Sequence, residues 1–343
     1  MNSIMNLSED TLNSIIILLS IKEASSLSIT NKIYKHMVRQ FYRGSMTRIK
    51  CSLKEYNITF PNATIANIRE RSNIVDDDFK YISMIKTLDM SLCKTKSITD
   101  ASFRYLTNIR DLNLQGACGH WIGGHHFTDE AFNYLGDLLK FYIDDNHVIT
   151  NRGIKKLIKI KDLTIHNCSN IGDDGLCNLT SLLRLDIYNL YKLTDEGLKN
   201  LTNLEELHMT FGNITDIGIS YLVNVKKIYL LACKQIKCKN FICLPKLEYL
   251  SLCHTQITDE DFVSLSNLLN ISIYGCKING NGLQYLTRCK IISIYESPIV
   301  DDQLDYLYTL KDLIKVNIYR CNLITRNKKN ELKSVFGNKF NTD

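Results

Sequence analysis

What the chain lacks narrows its function first. It has no apolar run long enough to cross a bilayer: the longest early stretch is Ile15 to Leu19, and a spanning helix needs about 20 apolar residues. The N-terminus shows no basic region followed by a long apolar run, so no secretory leader is expected. No dense block of one charge is present. The net charge is +6 with Lys and Arg spread along the chain, which argues against nucleic acid or a membrane surface as the partner. Motifs of the common catalytic sites are missing: there is no Gly-x-Gly-x-x-Gly, no phosphate-binding loop, no His-Glu-x-x-His and no Gly-x-Ser-x-Gly. The chain is accordingly read as non-enzymatic, with no cofactor and no metal. Only three prolines stand beside many Asn, Ile and Lys residues, a composition that points to an AT-rich genome. If the source is a virus or an intracellular pathogen, the working compartment is the host cytoplasm.

Cysteine is plentiful at twelve residues. Five of them (Cys93, Cys168, Cys233, Cys276 and Cys321) recur at one repeat position, which is the mark of structural thiols rather than of a disulfide framework. A reducing, cytoplasmic or nuclear setting follows from that reading. Cys233, Cys238 and Cys243 recur at a spacing of five. The first and third fall at interior repeat positions and are expected in the core as small hydrophobes.

The dominant feature is a repeat. The phrase [Ile/Leu/Phe]-Thr-Asp, or a close variant, returns with its third residue at Asp76, Asp100, Asp129, Asn151, Asp173, Asp195, Asp216, Cys238, Asp259, Gly280 and Asp301. The spacings are 21 to 24 residues, with one of 29. An apolar residue follows three positions on, as at Phe103, Leu198 and Leu304, and another three beyond that. This helical spacing begins at Asp, Asn or Gly in ten of the eleven units, so these residues are expected to be helix N-caps. Between the phrases runs apolar-x-x-apolar-x-apolar-x-x-[Cys/Asn], as at Leu268, Ile271, Ile273 and Cys276. Its period of two marks a strand with one buried face. One strand, one turn and one short helix per unit cannot bury an apolar face alone, and stacked neighbours make one continuous core.

These motifs resemble the leucine-rich-repeat family, in its cysteine-containing class, over residues 63–325 and eleven or twelve units. The resemblance implies an α/β solenoid, a right-handed horseshoe with a parallel sheet on its concave face and short helices outside. The recurrent Cys or Asn would tuck into the turn after the strand and satisfy buried backbone groups. Leu190, Gly212, Thr255 and Ser297 replace it in four units, where looser turns are expected.

Residues 1–45 do not follow the repeat. Ser8 suits an N-cap, and Leu12, Ile15, Ile16 and Leu19 mark a helical face; Ile21, Ala24 and Leu27 mark a second helix, and Tyr34, Met37, Val38 and Phe41 a third. The series Leu7, Leu12, Ile16, Leu19, Leu27, Ile29 and Tyr34 resembles an F-box, departing from it at Ser8 and Tyr34, where proline and tryptophan are usual. The resemblance implies docking of these residues to the Skp-type adaptor of a cullin-based SCF ubiquitin ligase, with the repeats holding a protein substrate and the chain monomeric outside that complex. The alternative is a helical cap on a stand-alone interaction scaffold without a ubiquitin link. Residues 46–62 form a connector and 326–343 a C-terminal cap or tail.

Strand residues facing away from the core are the candidate partner surface: Tyr142, His166, Tyr188, His208, Tyr229, Tyr274, Tyr295 and Tyr319. Tyrosine is enriched where proteins bind proteins. The unit with the 29-residue spacing inserts Cys118 to Phe127, with the only Trp. Its Cys118, His120, His125 and His126 match no zinc spacing, so a recognition loop carrying Trp121, His125 and His126 is the expectation.

Overall fold

A computed structural model describes residues 9–30, 32–93, 97–116 and 127–343. It contains two compact units, residues 1–164 and 165–343.

The first unit opens with three helices, α1 (Glu9–Leu18), α2 (Ile21–Thr30) and α3 (Lys32–Phe41). Ile16, Ala24, Met37 and Val38 are buried among them. Ser20 and Glu23 cap α2 reciprocally, the Ser20 N–H donating to the Glu23 carboxylate at 2.8 Å. A fourth helix, α4 (Leu53–Thr59), starts with the same device at Ser52 and Glu55 and buries Leu53 and Tyr56. The Tyr56 hydroxyl donates to the Ile65 carbonyl at 2.8 Å. Parallel strands β1 (Ile65–Asn67), β2 (Thr87–Asp89), β3 (Asp111–Asn113) and β4 (Lys140–Asp144) follow in chain order.

A recurrent backbone bridge sets the register of these strands. The Thr64 carbonyl accepts from Lys86 and Thr87, and the Lys86 carbonyl from Arg110 and Asp111. The Arg43 carbonyl accepts from Thr64 and Ile65 in the same way, and Ile49 donates to Asn67 at 2.8 Å. Residues 43–62 therefore carry the hydrogen-bond register of a repeat without its sequence phrase, with α4 in place of the usual short turn of helix.

Strand β5 (Asp162–His166) contains the boundary between the units. The second unit holds β6 (Arg184–Tyr188), β7 (Glu206–Thr210), β8 (Lys227–Leu231), β9 (Tyr249–Cys253), β10 (Asn270–Tyr274), β11 (Ile291–Tyr295), β12 (Lys315–Tyr319) and β13 (Phe340–Thr342). They pair in parallel and in chain order, equivalent residues side by side. Alternate side chains go inward: Leu185 and Ile187, Leu207 and Met209, Ile271 and Ile273 are all buried. Each such burial is worth about 1.5–3 kcal/mol before entropy. After Ile324 come a helix, Arg326–Phe336, and the strand β13, which no repeat phrase announces.

Strands β4 to β12 are each followed directly by a residue with positive φ, Asn189, Phe211, Ala232, His254, Glu296 and Arg320 among them. That left-handed step turns the chain out of the sheet. It also aims one more N–H at the next strand, as from Ala232 to the Cys253 carbonyl at 2.8 Å. The buried Cys follows it. Cys93 Sγ donates to the Ile68 carbonyl at 3.0 Å, and Cys233 and Cys276 reach carbonyls of their own and the preceding strand. Asn146 does the converse, accepting from Val148 and Ile149. Three of the four substituted turns are packed, and Gly212 is half-buried. Leu190, Thr255 and Ser297 are buried, Thr255 Oγ1 lies 3.3 Å from Cys276 Sγ, and Ser297 donates to Tyr295. Cys243 departs from expectation: it is exposed, whereas Cys233 and Cys238 are both buried.

The aspartates of the repeat phrase are not the N-caps. The preceding threonine is, its hydroxyl accepting from the residue two positions on at Thr99, Thr128, Thr150, Thr194 and Thr215. The aspartate instead reaches the next unit. Asp76 binds the N–H and hydroxyl of Thr99, Asp129 those of Thr150, Asp173 those of Thr194, Asp195 those of Thr215 and Asp301 those of Thr325. Glycine two places after the aspartate makes room for this. A Cβ on Gly197 would lie 2.6 Å from Asp173 Oδ1.

Candidate functional site

The strand face turned away from the core in residues 165–343 carries three rows of side chains. In β10 these are Asn270, Ser272 and Tyr274, each half-exposed. Because the strands run in register, side chains of one row stand side by side at the strand spacing, about 4.8 Å. The last row stacks Tyr274, Tyr295 and Tyr319. Tyr274 and Tyr295 have ring centroids 6.2 Å apart, and Tyr295 and Tyr319 5.5 Å apart at an interplanar angle of 13°. His254 meets Tyr274 edge-on at 5.2 Å. Glu296 and Arg320, the left-handed residues beyond β11 and β12, form an ion pair at 2.9 Å beside this stack. Hydrogen bonds from Arg320 and Tyr274 hold the Glu296 carboxyl below the usual range. The same Glu296 contact pushes the Tyr274 phenol up. The middle row beside the tyrosines is small and polar, Asn341 donating to Asn317 and Asn317 to Ser293.

A second cluster lies on β6 to β9. His208 stacks on Tyr229 at 4.1 Å, and Tyr229 packs against Tyr249 at 4.9 Å. His208 Nε2 lies 2.7 Å from Glu206, and Arg184 bridges Glu206 and Asp186. His166 Nε2 lies 3.1 Å from Asp186. Burial opposes the charge on Asp186 and Glu206, but their histidine and arginine partners outweigh it and hold both carboxyls low. His166 and Phe211 flank Tyr188 edge-on, each at 5.8 Å. Rings and ion pairs of this kind suit recognition of a protein surface, since aromatic and arginine side chains supply most of the binding energy at interfaces.

The structure thus gathers Tyr274, Tyr295 and Tyr319 into one stack. It puts Tyr229 and His208 in a second group and Tyr188 and His166 at that group's edge. Tyr142 stands half-buried on β4 in the first unit. Tyr249, Arg184 and Glu206 belong to the surface and were missed, because they precede the alternating core of the strand. Their signal is the same spacing of about one repeat, one position earlier than the buried residue. Among the helical residues, Ile16 is 1% exposed and belongs to the interior. Leu19, Leu27 and Tyr34 are half-buried and Ile29 is exposed. Leu7, the side chain of Leu12, and Trp121, His125 and His126 lie outside the described residues. Among the described residues no group of His, Cys, Asp and Glu could hold a metal ion, and no helix is long and apolar enough to cross a membrane.

Residues 200–223 match the family model described as Leucine Rich repeat. No curated protein sequence matches the chain. Among solved structures, the chain is similar to an internalin (inlF) from Listeria monocytogenes str. 4b F2365. The identity is 25% over 72% of this chain and 70% of that one, with a TM-score of 0.55. It is also similar to TLR13 in a complex with ssRNA13, at 15% identity and a TM-score of 0.61 over 83% of this chain and 47% of the other. The chain thus spans about half the length of the TLR13 chain. The repeat match and these likenesses make the fold a leucine-rich-repeat fold.

Proposed function

We propose that this leucine-rich-repeat protein captures another protein on the open strand face of residues 165–343 and delivers it to a cullin-based ubiquitin ligase in the cytoplasm or nucleus. The observation that carries the binding role is the stack of Tyr274, Tyr295 and Tyr319, three adjacent half-exposed rings on the strand face turned away from the core. The ligase role rests on the F-box-like series of residues 7–34 and on apolar side chains in that module. Leu18 and Ile29 are 85% and 84% exposed, and two large aliphatics left in water suit docking to an adaptor. The catalytic step of ubiquitin transfer would belong to partner subunits.

A pull-down of the full chain against the Skp-type adaptor tests this. Capture that is lost in Leu18→Ala/Ile29→Ala supports the adaptor role, since both residues are exposed and their removal leaves the core intact. No capture by a folded chain removes the ubiquitin link and leaves a binding scaffold.

One observation favours that second reading. Residues 43–49 pair with β1 through Arg43 and Ile49, and α4 packs beneath, which is what a cap on a repeat array must do. Deletion of residues 1–41, which spares this pairing, separates the two. If the N-terminal helices are a cap, the deletion lowers the melting temperature, whereas an F-box module is lost with the array still folded and adaptor capture abolished.

A further inference from the structure

The outer face of α3 collects Lys32, Lys35, His36 and Arg39, all exposed. Among the described residues none of the four joins an ion pair. The nearby acids are committed elsewhere, Glu23 to the start of α2 and Glu55 to the start of α4. These cations do not stand on a convex surface. Lys32, Lys35 and Arg39 line a groove of about 640 Å³ whose lip is formed by Ile29 and Ile58, 84% and 58% exposed. A second groove of about 460 Å³ continues past His36 to Asn62. The Asn62 amide donates to the Arg39 and Gln40 carbonyls at 3.1 and 3.2 Å, tying the end of α3 to the segment after α4.

We propose that this groove binds an acidic amphipathic helix of a partner protein, its carboxylates on the Lys32, Lys35 and Arg39 wall and an apolar side chain between Ile29 and Ile58. The three cations are spaced three and four residues apart, so they rise about 10 Å along one helix face. Asp or Glu at the same spacing on a partner helix presents a matching row. Isolated positive charge in a cleft steers and orients an anionic partner more than it adds raw affinity. Single-stranded nucleic acid fits less well, because its binding sites supply aromatic platforms for the bases and, among the described residues, no Phe, Tyr or Trp lines either groove. A membrane fits less well because the cations sit inside a concavity. The inference rests on the cation wall and Ile58 and not on the ubiquitin reading, but Ile29 serves both, so an adaptor seated there would compete with the acidic helix. A chain that fails to capture the adaptor and still binds an acidic helix leaves the groove standing, and the reverse result removes the groove alone.

The test uses the full chain and a fluorescent helical peptide with glutamates at every third and fourth position and leucines between. Binding is read by anisotropy. Lys35→Glu/Arg39→Glu is expected to weaken it by at least about tenfold, each reversal replacing an attraction by a repulsion. Raising the salt to about 0.3 M is expected to weaken it further. Lys32→Glu, also exposed, serves as the second variant, and unchanged melting curves confirm that both remain folded. Absence of peptide binding, equal binding to a glutamine version of the peptide, or equal binding by the reversal variants overturns the proposal. So does tighter binding of an oligothymidylate or of phosphatidylserine vesicles through the same residues.

Discussion

The carboxylate of Asp195 accepts both the backbone N–H and the hydroxyl of Thr215, each at 2.7 Å, one repeat further along the chain. The threonine in turn caps its own short helix through Ile217. This unit is thus fastened to the next by a charged acceptor and a side chain that serves two helical turns at once, as are those of Asp76, Asp100, Asp129, Asp173 and Asp301. Asp195→Ala leaves two donors without their acceptor and is expected to cost about 2–4 kcal/mol. Urea unfolding of Asp195→Ala, Thr215→Val and the double variant measures the coupling. Additive losses would sink the idea of a shared fastening.

Ala232 holds φ at 54°. A left-handed conformation costs a residue with a Cβ roughly 1–2 kcal/mol, against the backbone entropy that glycine loses on folding, roughly 0.5–1 kcal/mol. Ala232→Gly is therefore expected to leave stability unchanged or to raise it by up to about 1 kcal/mol. The same exchange at Ala66, buried in β1, lowers it. Melting temperatures of the two variants check the contrast, and a clear loss at position 232 counts against it.

Burial pushes the Cys93 thiol up to about 11 and those of Cys233 and Cys289 up to about 12, from an ordinary value of about 9. The folded chain holds these protons more tightly than the unfolded chain does. The corresponding stability is complete below about pH 9 and is lost as pH rises from there towards about 12, by up to roughly 1.4 kcal/mol per pH unit for each thiol. Urea midpoints measured across that window are expected to fall, and less steeply in Cys233→Ala. Under native conditions an alkylating reagent is expected to modify the exposed Cys51 and Cys243 and to spare Cys233.

Tyr274 and Tyr295 are half-exposed at the ends of their strands, on the face away from the core. Tyr274→Ala/Tyr295→Ala is expected to weaken capture of the partner protein by at least about tenfold, in the range of an aromatic hot spot. The unfolding free energy should change by less than about 1 kcal/mol. Capture that survives the double substitution removes the stack from the binding surface.

The strand, turn and helix of each unit could be read from the sequence because the same side-chain types return at one spacing, so every unit repeats the evidence of its neighbours. The role of Asp195 could not. Periodicity places it at the start of a helix, where aspartate is a good cap, and says nothing of an acceptor site in the next unit. Residues 43–62 have repeat register without repeat phrase, because α4 with its Ser52 and Glu55 box does the work of the missing pattern. The ring stacks were half legible. Tyr274, Tyr295 and Tyr319 share one position and stack, but Tyr229 sits one row over, opposite Ser251, and meets Tyr249 across the diagonal.

Cys238 stands where an aspartate would hold Thr258, and Asp261, three residues on from that threonine, accepts its N–H and its hydroxyl at 2.8 and 2.9 Å. A unit that closes its own turn does not need its predecessor. Whole repeats could be duplicated or excised between Cys238 and Thr258 without stranding a donor, which is not true between Asp195 and Thr215. At the Cys238 to Thr258 junction a unit's first turn is closed by its own carboxylate and asks nothing of its neighbour.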